Sequence, residues 1–353
     1  MRIYSFARPG APLSAEDVKD PIPTGREVLV RITHSGVCHT DTHVQEGGYD
    51  LGEAGFMSLA DRGVPYPIVA GHEIVGEVES VGDGVTDVKP GDRRLVYPWV
   101  GCRACSLCAT GRENLCPQGR ALGVFRPGGF AEKVLVPHEE YLIDIEGIDP
   151  EWAATLACSG LTAFSSVNKV LPDGDGATIV VIGAGGVGLM ALATLRALGH
   201  DRVCVVDVND ESLEIARGLG ATVVVNTATA QVPLAALLEA TGGPVAAVVD
   251  FVNSGATGTL AFNALAKNGR LVQVGLFGGD MRLPTALVAI KGLHIQGNYV
   301  GNLDELRAVV RLARTGQLPR IPITTAPLNE QQITSSLTAL TEGRVRGRTV
   351  LLA

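Results

Sequence analysis

Aromatic residues are scarce in this 353-residue chain, 5% against 46% hydrophobic residues in all, so its interior has to be packed from Val, Ala, Leu and Ile rather than from large rings. Basic clusters are missing as well: the formal net charge is −8 and no run of Lys or Arg stands out, which leaves no electrostatic footprint for nucleic acid. The opening MRIYSFARPG has no apolar stretch of signal-peptide type. No window reaches the roughly 18 uncharged apolar residues that a membrane span needs. A cytoplasmic protein without nucleic-acid or membrane partners is therefore expected. No internal repeat or low-complexity stretch is visible, and the length suits two domains, each with a core of its own.

What is present divides into two rhythms. Up to about residue 155, Gly and Pro punctuate short alternating stretches such as EVLVRIT, EIVGEVESVG and AEKVLVP, the pattern of an irregular antiparallel β-barrel. From about residue 178 the chain repeats strand, turn and Ala/Leu-rich helix: TIVVIGAGGVGLMALATLRALG, VCVVDV, TVVVNTA, AAVVDFV and GRLVQVGL. Its Val-rich runs suit strands buried on both faces, and the alternation predicts an α/β, doubly wound parallel sheet. The tail, HIQGNYVG through LDELRAVVRLARTG to GRTVLLA, is expected to pack back on the first domain.

Cys102, Cys105, Cys108 and Cys116 form a C-x₂-C-x₂-C-x₇-C run inside 15 residues. Four thiolates on one tight loop suit a closed tetrahedral zinc cage, which holds a loop in place and has no open position for chemistry. Two disulfides are the alternative, disfavoured where reductants keep thiols free; an Fe–S cluster shares the ligand type.

Gly183, Gly185 and Gly188, with Gly186 and Val187 between them, follow the apolar strand TIVVI and open a helix. In that setting G-x-G-x-x-G is a dinucleotide fingerprint: a tight turn, room for a pyrophosphate, and close packing of helix on strand. Asp207 stands 24 residues after Gly183 at the end of the next strand, placed to accept hydrogen bonds from an adenosine ribose and to repel a 2′-phosphate. The following VNDESLE holds no Lys or Arg, so NAD is favoured over NADP. FAD and a ligand-free Gly-rich turn are the alternatives.

Gly36 to His43, GVCHTDTH, and Gly71-His72-Glu73 followed by Gly76 resemble the two signature segments of the zinc-dependent medium-chain alcohol dehydrogenases. The four-cysteine lobe, Cys158 in LACSG and the GAGGVG stretch occur in the same order, so the resemblance covers nearly the whole chain. It implies a GroES-like catalytic domain from residues 1–158 and 296–353, with a structural zinc lobe at about 98–118, and a Rossmann NAD-binding domain at 159–295. It further implies two Zn²⁺ per chain, one held by the four-cysteine lobe and a catalytic one held by Cys38, His72 and Cys158. Thr40 would contact the alcohol oxygen and His43 would finish a proton relay; the alternative for both is a capping contact at the helix N-terminus or exposure to water. Glu73 would lie behind the metal, Asp41 would orient the His72 ring, and His39 would stand where relatives often carry an Arg on the cofactor pyrophosphate. Cys204, within VCVVDV, is expected to be simply buried.

Cys158 stands where polyol and threonine dehydrogenases of the superfamily commonly carry Glu, which favours a monohydric alcohol. The segment from Gln45 to Ala70 and YPWVGC are similar to a bacterial subgroup that includes 6-hydroxyhexanoate dehydrogenases, except that GEAGFM replaces a stretch often bearing Lys or Arg. A pocket of Trp99, Phe56, Met57 and Tyr299 would suit a medium-length or aromatic alcohol, with Arg62 as a source of charge. A homodimer or homotetramer acting on a small alcohol or aldehyde is expected. A non-enzymatic binding protein on the same fold is the rival class, and an open metal site beside a nicotinamide speaks against it.

Overall fold

The computed structural model describes residues 1–171 and 176–353. Its N-terminal part holds nine strands: β1 (Arg2–Phe6), β2 (Leu13–Asp17), β3 (Val28–Val37), β4 (Gly48–Asp50), β5 (Phe56–Ser58), β6 (Glu73–Val81), β7 (Arg93–Val96), β8 (Lys133–Val136) and β9 (Leu142–Asp144). Six parallel strands follow: β10 (Ile179–Ile182), β11 (Val203–Asp207), β12 (Val223–Asn226), β13 (Val245–Asp250), β14 (Leu265–Gln273) and β15 (His294–Gly297). β16 (Ile323–Pro327) and β17 (Arg348–Leu352) complete the chain.

The six-stranded sheet runs in the order β12-β11-β10-β13-β14-β15, the doubly wound arrangement whose strand order reverses beside β10. Ile179 and Val181 of β10 enter one hydrophobic core while Val180 and Ile182 enter another on the opposite face. That two-sided burial is why its strands read as continuous aliphatic runs, each fully buried Val contributing about 2 kcal/mol. Cys204 is buried among them.

The larger, mostly antiparallel sheet has the order β16-β17-β3-β6-β7-β9, with β8 also paired to β3. The chain's tail divides between the two sheets. His294–Gly297 extends the parallel sheet beside β14 as an edge strand, whereas Thr349–Leu352 lies antiparallel to His34–Val37 of β3. The first result differs from the expectation that the tail from HIQG onward packs on the first domain: HIQG runs parallel to β14 in continuous register.

Four helices position the site. α1 (His39–Glu46) follows β3, while α2 (Pro150–Thr155) and α3 (Leu161–Asn168) are joined by a π-helical turn, Leu156–Gly160. α4 (Gly186–Ala197) follows β10 and buries Leu189, Met190, Leu192 and Leu195. No helix among the described residues is long and apolar enough to cross a membrane.

Candidate active site

Antiparallel pairing of β3 with β6 sets Gly36 opposite Glu73, so Cys38, just past the end of β3, and His72, just before β6, arrive side by side. Cys158 comes from the π turn, a local widening of the helix that recurs at functional sites. The ligand atoms of Cys38, His72 and Cys158 lie within 4.8 Å of one another, and the Cys38 and Cys158 sulfurs are 4.0 Å apart. All three residues are buried, and His72 Nε2 has no hydrogen-bond partner. A buried, unpartnered imidazole nitrogen facing two thiols fits a metal with one further position open. The Cys158 thiol, with the His72 ring, holds Cys38 well below the usual thiol range against its burial, which favours the ligating thiolate.

Asp41 ties this cluster together. Its buried carboxylate accepts from the Cys38 and Gly71 backbone N–H groups, each at 2.9 Å, and lies 3.2 Å from His72 Nδ1. That contact leaves Nε2 of His72 free to face a metal. On α1, Thr40 and His43 stand three residues apart and so share a face, while His39 is exposed at the first helical position. The His43 ring packs on Tyr49 at 4.8 Å, and burial lowers its pKa from the usual imidazole value.

The second cluster is the four-cysteine loop. Sulfur separations of 4.0 Å (Cys102–Cys108), 3.6 Å (Cys105–Cys108) and 3.8 Å (Cys105–Cys116) exclude disulfides, which need about 2.05 Å. They fit four sulfurs on a tetrahedron at zinc–sulfur distances of about 2.3 Å, which stand about 3.8 Å apart.

At the dinucleotide loop, Gly183 has φ 93°, and a Cβ on Gly188 would lie 1.7 Å from the Gly183 carbonyl oxygen, so neither position accepts a side chain. Gly185 has no protein atom within 4 Å of where its Cβ would stand, the open cradle that a pyrophosphate needs in front of α4. Asp207 does more than end β11. Its carboxylate accepts from Ala184 N at 2.5 Å and from Val208 N and Asn209 N, clamping the glycine loop to the sheet.

A cleft of about 670 Å³ opens between the two sheets, bounded by Tyr49, Met57, Trp99 and Tyr299 on one side and Asn253, Gln273 and Met281 on the other. Trp99 joins it to the metal cluster: its ring lies 5.4 Å from that of His72 and 5.8 Å from that of Tyr299, and its Nε1 donates to Ala157 O. Phe56 does not belong to this wall. In the β4–β5 hairpin it pairs with Asp50 and is 61% exposed, while its neighbour Met57 pairs with Tyr49 and faces the cleft. Neighbours in a strand point to opposite faces, so Phe56 and Met57 cannot both line the cleft, contrary to the expectation from the sequence.

Three contributors were missed in the sequence. Arg348 of β17 is buried with Nη2 2.6 Å from Glu73 Oε2, and a Cβ on Gly186 would meet its Cδ at 2.3 Å, so one guanidinium lies between the metal cluster and α4. Tyr49 lies in the segment expected over the cleft and was not singled out. Asn114 of the cysteine lobe donates to Tyr299 O at 2.8 Å, and Glu113 to Pro117 line the cleft, so the lobe borders the site.

Residues 24–147 match the alcohol dehydrogenase GroES-like domain family and residues 186–315 the zinc-binding dehydrogenase family. An NAD-dependent alcohol dehydrogenase from Sulfurisphaera tokodaii is 37% identical over the full length of both chains. The chain belongs to the zinc-binding medium-chain alcohol dehydrogenase family. A D-arabinose 1-dehydrogenase (NADP(+)) from Saccharolobus solfataricus is 32% identical over 96% of this chain and 94% of its own. The crystal structure of the alcohol dehydrogenase from Aeropyrum pernix superposes with a TM-score of 0.90 at 32% identity, covering all of both chains. Membership of this medium-chain family makes the protein an NAD(P)-linked oxidoreductase with two separate candidate zinc clusters.

Proposed function

We propose that the protein is a zinc-dependent, NAD-dependent alcohol dehydrogenase that interconverts a primary alcohol, medium-chain or aromatic, with its aldehyde. The observation that carries this reading is the buried Cys38–His72–Cys158 triangle with an unpartnered His72 Nε2, joined through Trp99 to a largely apolar cleft at the C-terminal ends of the parallel strands. Cys38, His72 and Cys158 would hold a zinc ion whose positive charge would let an alcohol lose its proton near neutral pH, and a nicotinamide cofactor bound at the glycine loop would supply the hydride acceptor. Thr40 takes the hydroxyl proton toward the cofactor side, and His43, neutral because burial lowers its pKa, accepts it at the far end. Asp41 holds the His72 tautomer, and His39, exposed at the start of α1, reaches toward a bound pyrophosphate. Asp207 favours NAD, since its carboxylate stands at the end of β11 with no cation in residues 208–214 to receive a 2′-phosphate.

One observation favours a narrower substrate class, the ω-hydroxy acids suggested by the 6-hydroxyhexanoate likeness. Arg62 lines the cleft, its Nη1 3.1 Å from Met57 Sδ, and among the described residues no carboxylate pairs with it. A kinetic panel of hexanol, benzyl alcohol, a secondary alcohol and 6-hydroxyhexanoate with NAD decides between the two, repeated on Arg62→Gln. A kcat/KM highest for the neutral alcohols and unchanged in Arg62→Gln supports the first reading; a preference for the hydroxy acid that Arg62→Gln abolishes supports the second. No NAD-dependent turnover of any alcohol overturns both. A homo-oligomer is further proposed, because β15 is an edge strand of the parallel sheet and Ile290, just before it, is exposed.

A further inference from the structure

Beside the cysteine lobe lies a second cavity, of about 530 Å³, that shares only Val100 with the substrate cleft. Its lining is basic: Arg103, Arg120 and Arg126 face it together with His138 and Tyr141. Arg103 is compensated by Glu140 at 2.7 Å. Arg120 packs its guanidinium over Phe125 at 5.4 Å, and neither it nor Arg126 has a carboxylate within ion-pairing distance or a side-chain hydrogen bond among the described residues. Tyr141 is 1% exposed, and its hydroxyl is buried without a partner. Burial pushes that phenol up to about 12 against the pull of the neighbouring Arg103 guanidinium, so it remains a donor. His138 accepts from Glu140 N on Nδ1 at 3.0 Å, which leaves its Nε2–H as a donor.

Arg120, Arg126 and the Tyr141 hydroxyl thus line one cavity together with His138, and the carboxylate beside it, Glu140, is taken by Arg103. An unsatisfied buried hydroxyl calls for a missing partner, and guanidinium forks match the oxygens of phosphate-type anions. We propose that this cavity binds a tetrahedral oxyanion, as inorganic phosphate or as the phosphoryl group of a small phosphomonoester. A carboxylate offers two oxygens to two unpaired forks, a phenol and an imidazole, whereas a phosphoryl group offers three or four. The arginines have another conceivable use, offsetting the charge of a zinc tetrathiolate at Cys102. The cage meets that need otherwise: backbone N–H groups of Arg103, Ala104, Cys105 and Cys108 point at its sulfurs, as does Cys102 N at Cys116 Sγ, and no guanidinium is hydrogen-bonded to one.

The test is calorimetric titration of the zinc-loaded protein with inorganic phosphate and with phenyl phosphate at constant ionic strength, chloride being the reference, with unfolding temperature measured alongside. Saturable binding with a rise in unfolding temperature is expected, weakened about tenfold or more in Arg120→Gln/Arg126→Gln. Tyr141→Phe should weaken binding by a smaller factor while zinc content stays at the wild-type value. Tighter binding of phenyl phosphate assigns the site to an organic phosphomonoester, and equal binding assigns it to inorganic phosphate. Phosphate bound at the N-terminus of α4 instead would be unaffected by either variant. Binding that survives both variants, an effect that chloride reproduces, or arginine variants that lose zinc without any anion-dependent change, overturns the proposal.

Discussion

The Glu73 carboxylate and the Arg348 guanidinium meet at 2.6 Å with both side chains buried, one at the start of β6 and the other on β17, the strand that closes the chain. Glu73 also accepts from Ser159 N at 3.2 Å, next to Cys158, and burial pushes its carboxyl up to about 7 against the pull of Arg348. The pair therefore connects a π turn, a β-strand and the first turn of α4. Breaking a buried ion pair from one side leaves an uncompensated charge, at a cost of about 3–5 kcal/mol. Arg348→Met and Glu73→Gln should each destabilise the protein on that scale, and the double variant should recover part of the loss. Denaturant unfolding of the four proteins gives the coupling, and strictly additive effects would show that the two groups are energetically independent.

The cysteine lobe predicts a separation of stability from chemistry. Protein purified without added metal should carry close to two zinc per chain, because two disjoint ligand sets are present. Cys105→Ser should lower this to about one and reduce the unfolding temperature by on the order of 10 °C, since a structural metal contributes folding free energy. Turnover per folded molecule should fall less, although not to zero effect, because Asn114 of the lobe holds the Tyr299 carbonyl at the cleft. Elemental analysis with active-site titration checks this; full activity with one zinc or none would refute the two-site reading.

Much of this architecture was legible beforehand. The glycine fingerprint, the Val-rich strands and the four-cysteine run are local patterns whose spacing announces them, whereas Cys38, His72 and Cys158, spread along the chain, were legible only through the family resemblance. Arg348 was not legible, because its partner lies 275 positions away and nothing in GRTVLLA marks a buried guanidinium. Phe56 was misplaced for a different reason: composition says that a segment is apolar, while only strand pairing says which of two neighbours faces the cleft. Asp207 was read for its ribose contact, yet a carboxylate at a strand end also finds the backbone N–H groups of the adjoining turns.

That double duty changes what Asp207→Ala should do. Loss of the carboxylate removes the repulsion of a 2′-phosphate, but it also frees Ala184 N and loosens the loop that carries the pyrophosphate. NAD should weaken by roughly 10- to 100-fold, as expected when hydrogen bonds to a charged group are lost. NADP should be affected less, so the ratio of the two kcat/KM values shifts toward NADP while neither cofactor reaches the wild-type NAD value. A wild type that already prefers NADP would contradict the assignment.

The proton path makes the sharpest demand on His43. Burial lowers its pKa from the usual 6.5, so the ring is neutral at pH 7 and protonates only as pH falls below that value. Both consequences have the same sign: a proton acceptor is lost with falling pH, and the folded state, which resists protonation more than the unfolded chain does, loses stability over the same interval. His43→Gln should leave zinc content intact and slow alcohol oxidation by roughly 10- to 100-fold near pH 7, within or just below the range for a positioned acid–base group. Added amine buffer, or higher pH, should restore part of that rate, because an external base can replace a terminal acceptor. Thr40→Ala interrupts the path at the substrate, out of reach of buffer once the cleft is filled, and should be rescued poorly. Rates against pH and buffer concentration for both variants separate the cases; equal rescue of the two, or a His43 variant indistinguishable from wild type at pH 7, would leave His43 as no more than a packing partner of Tyr49.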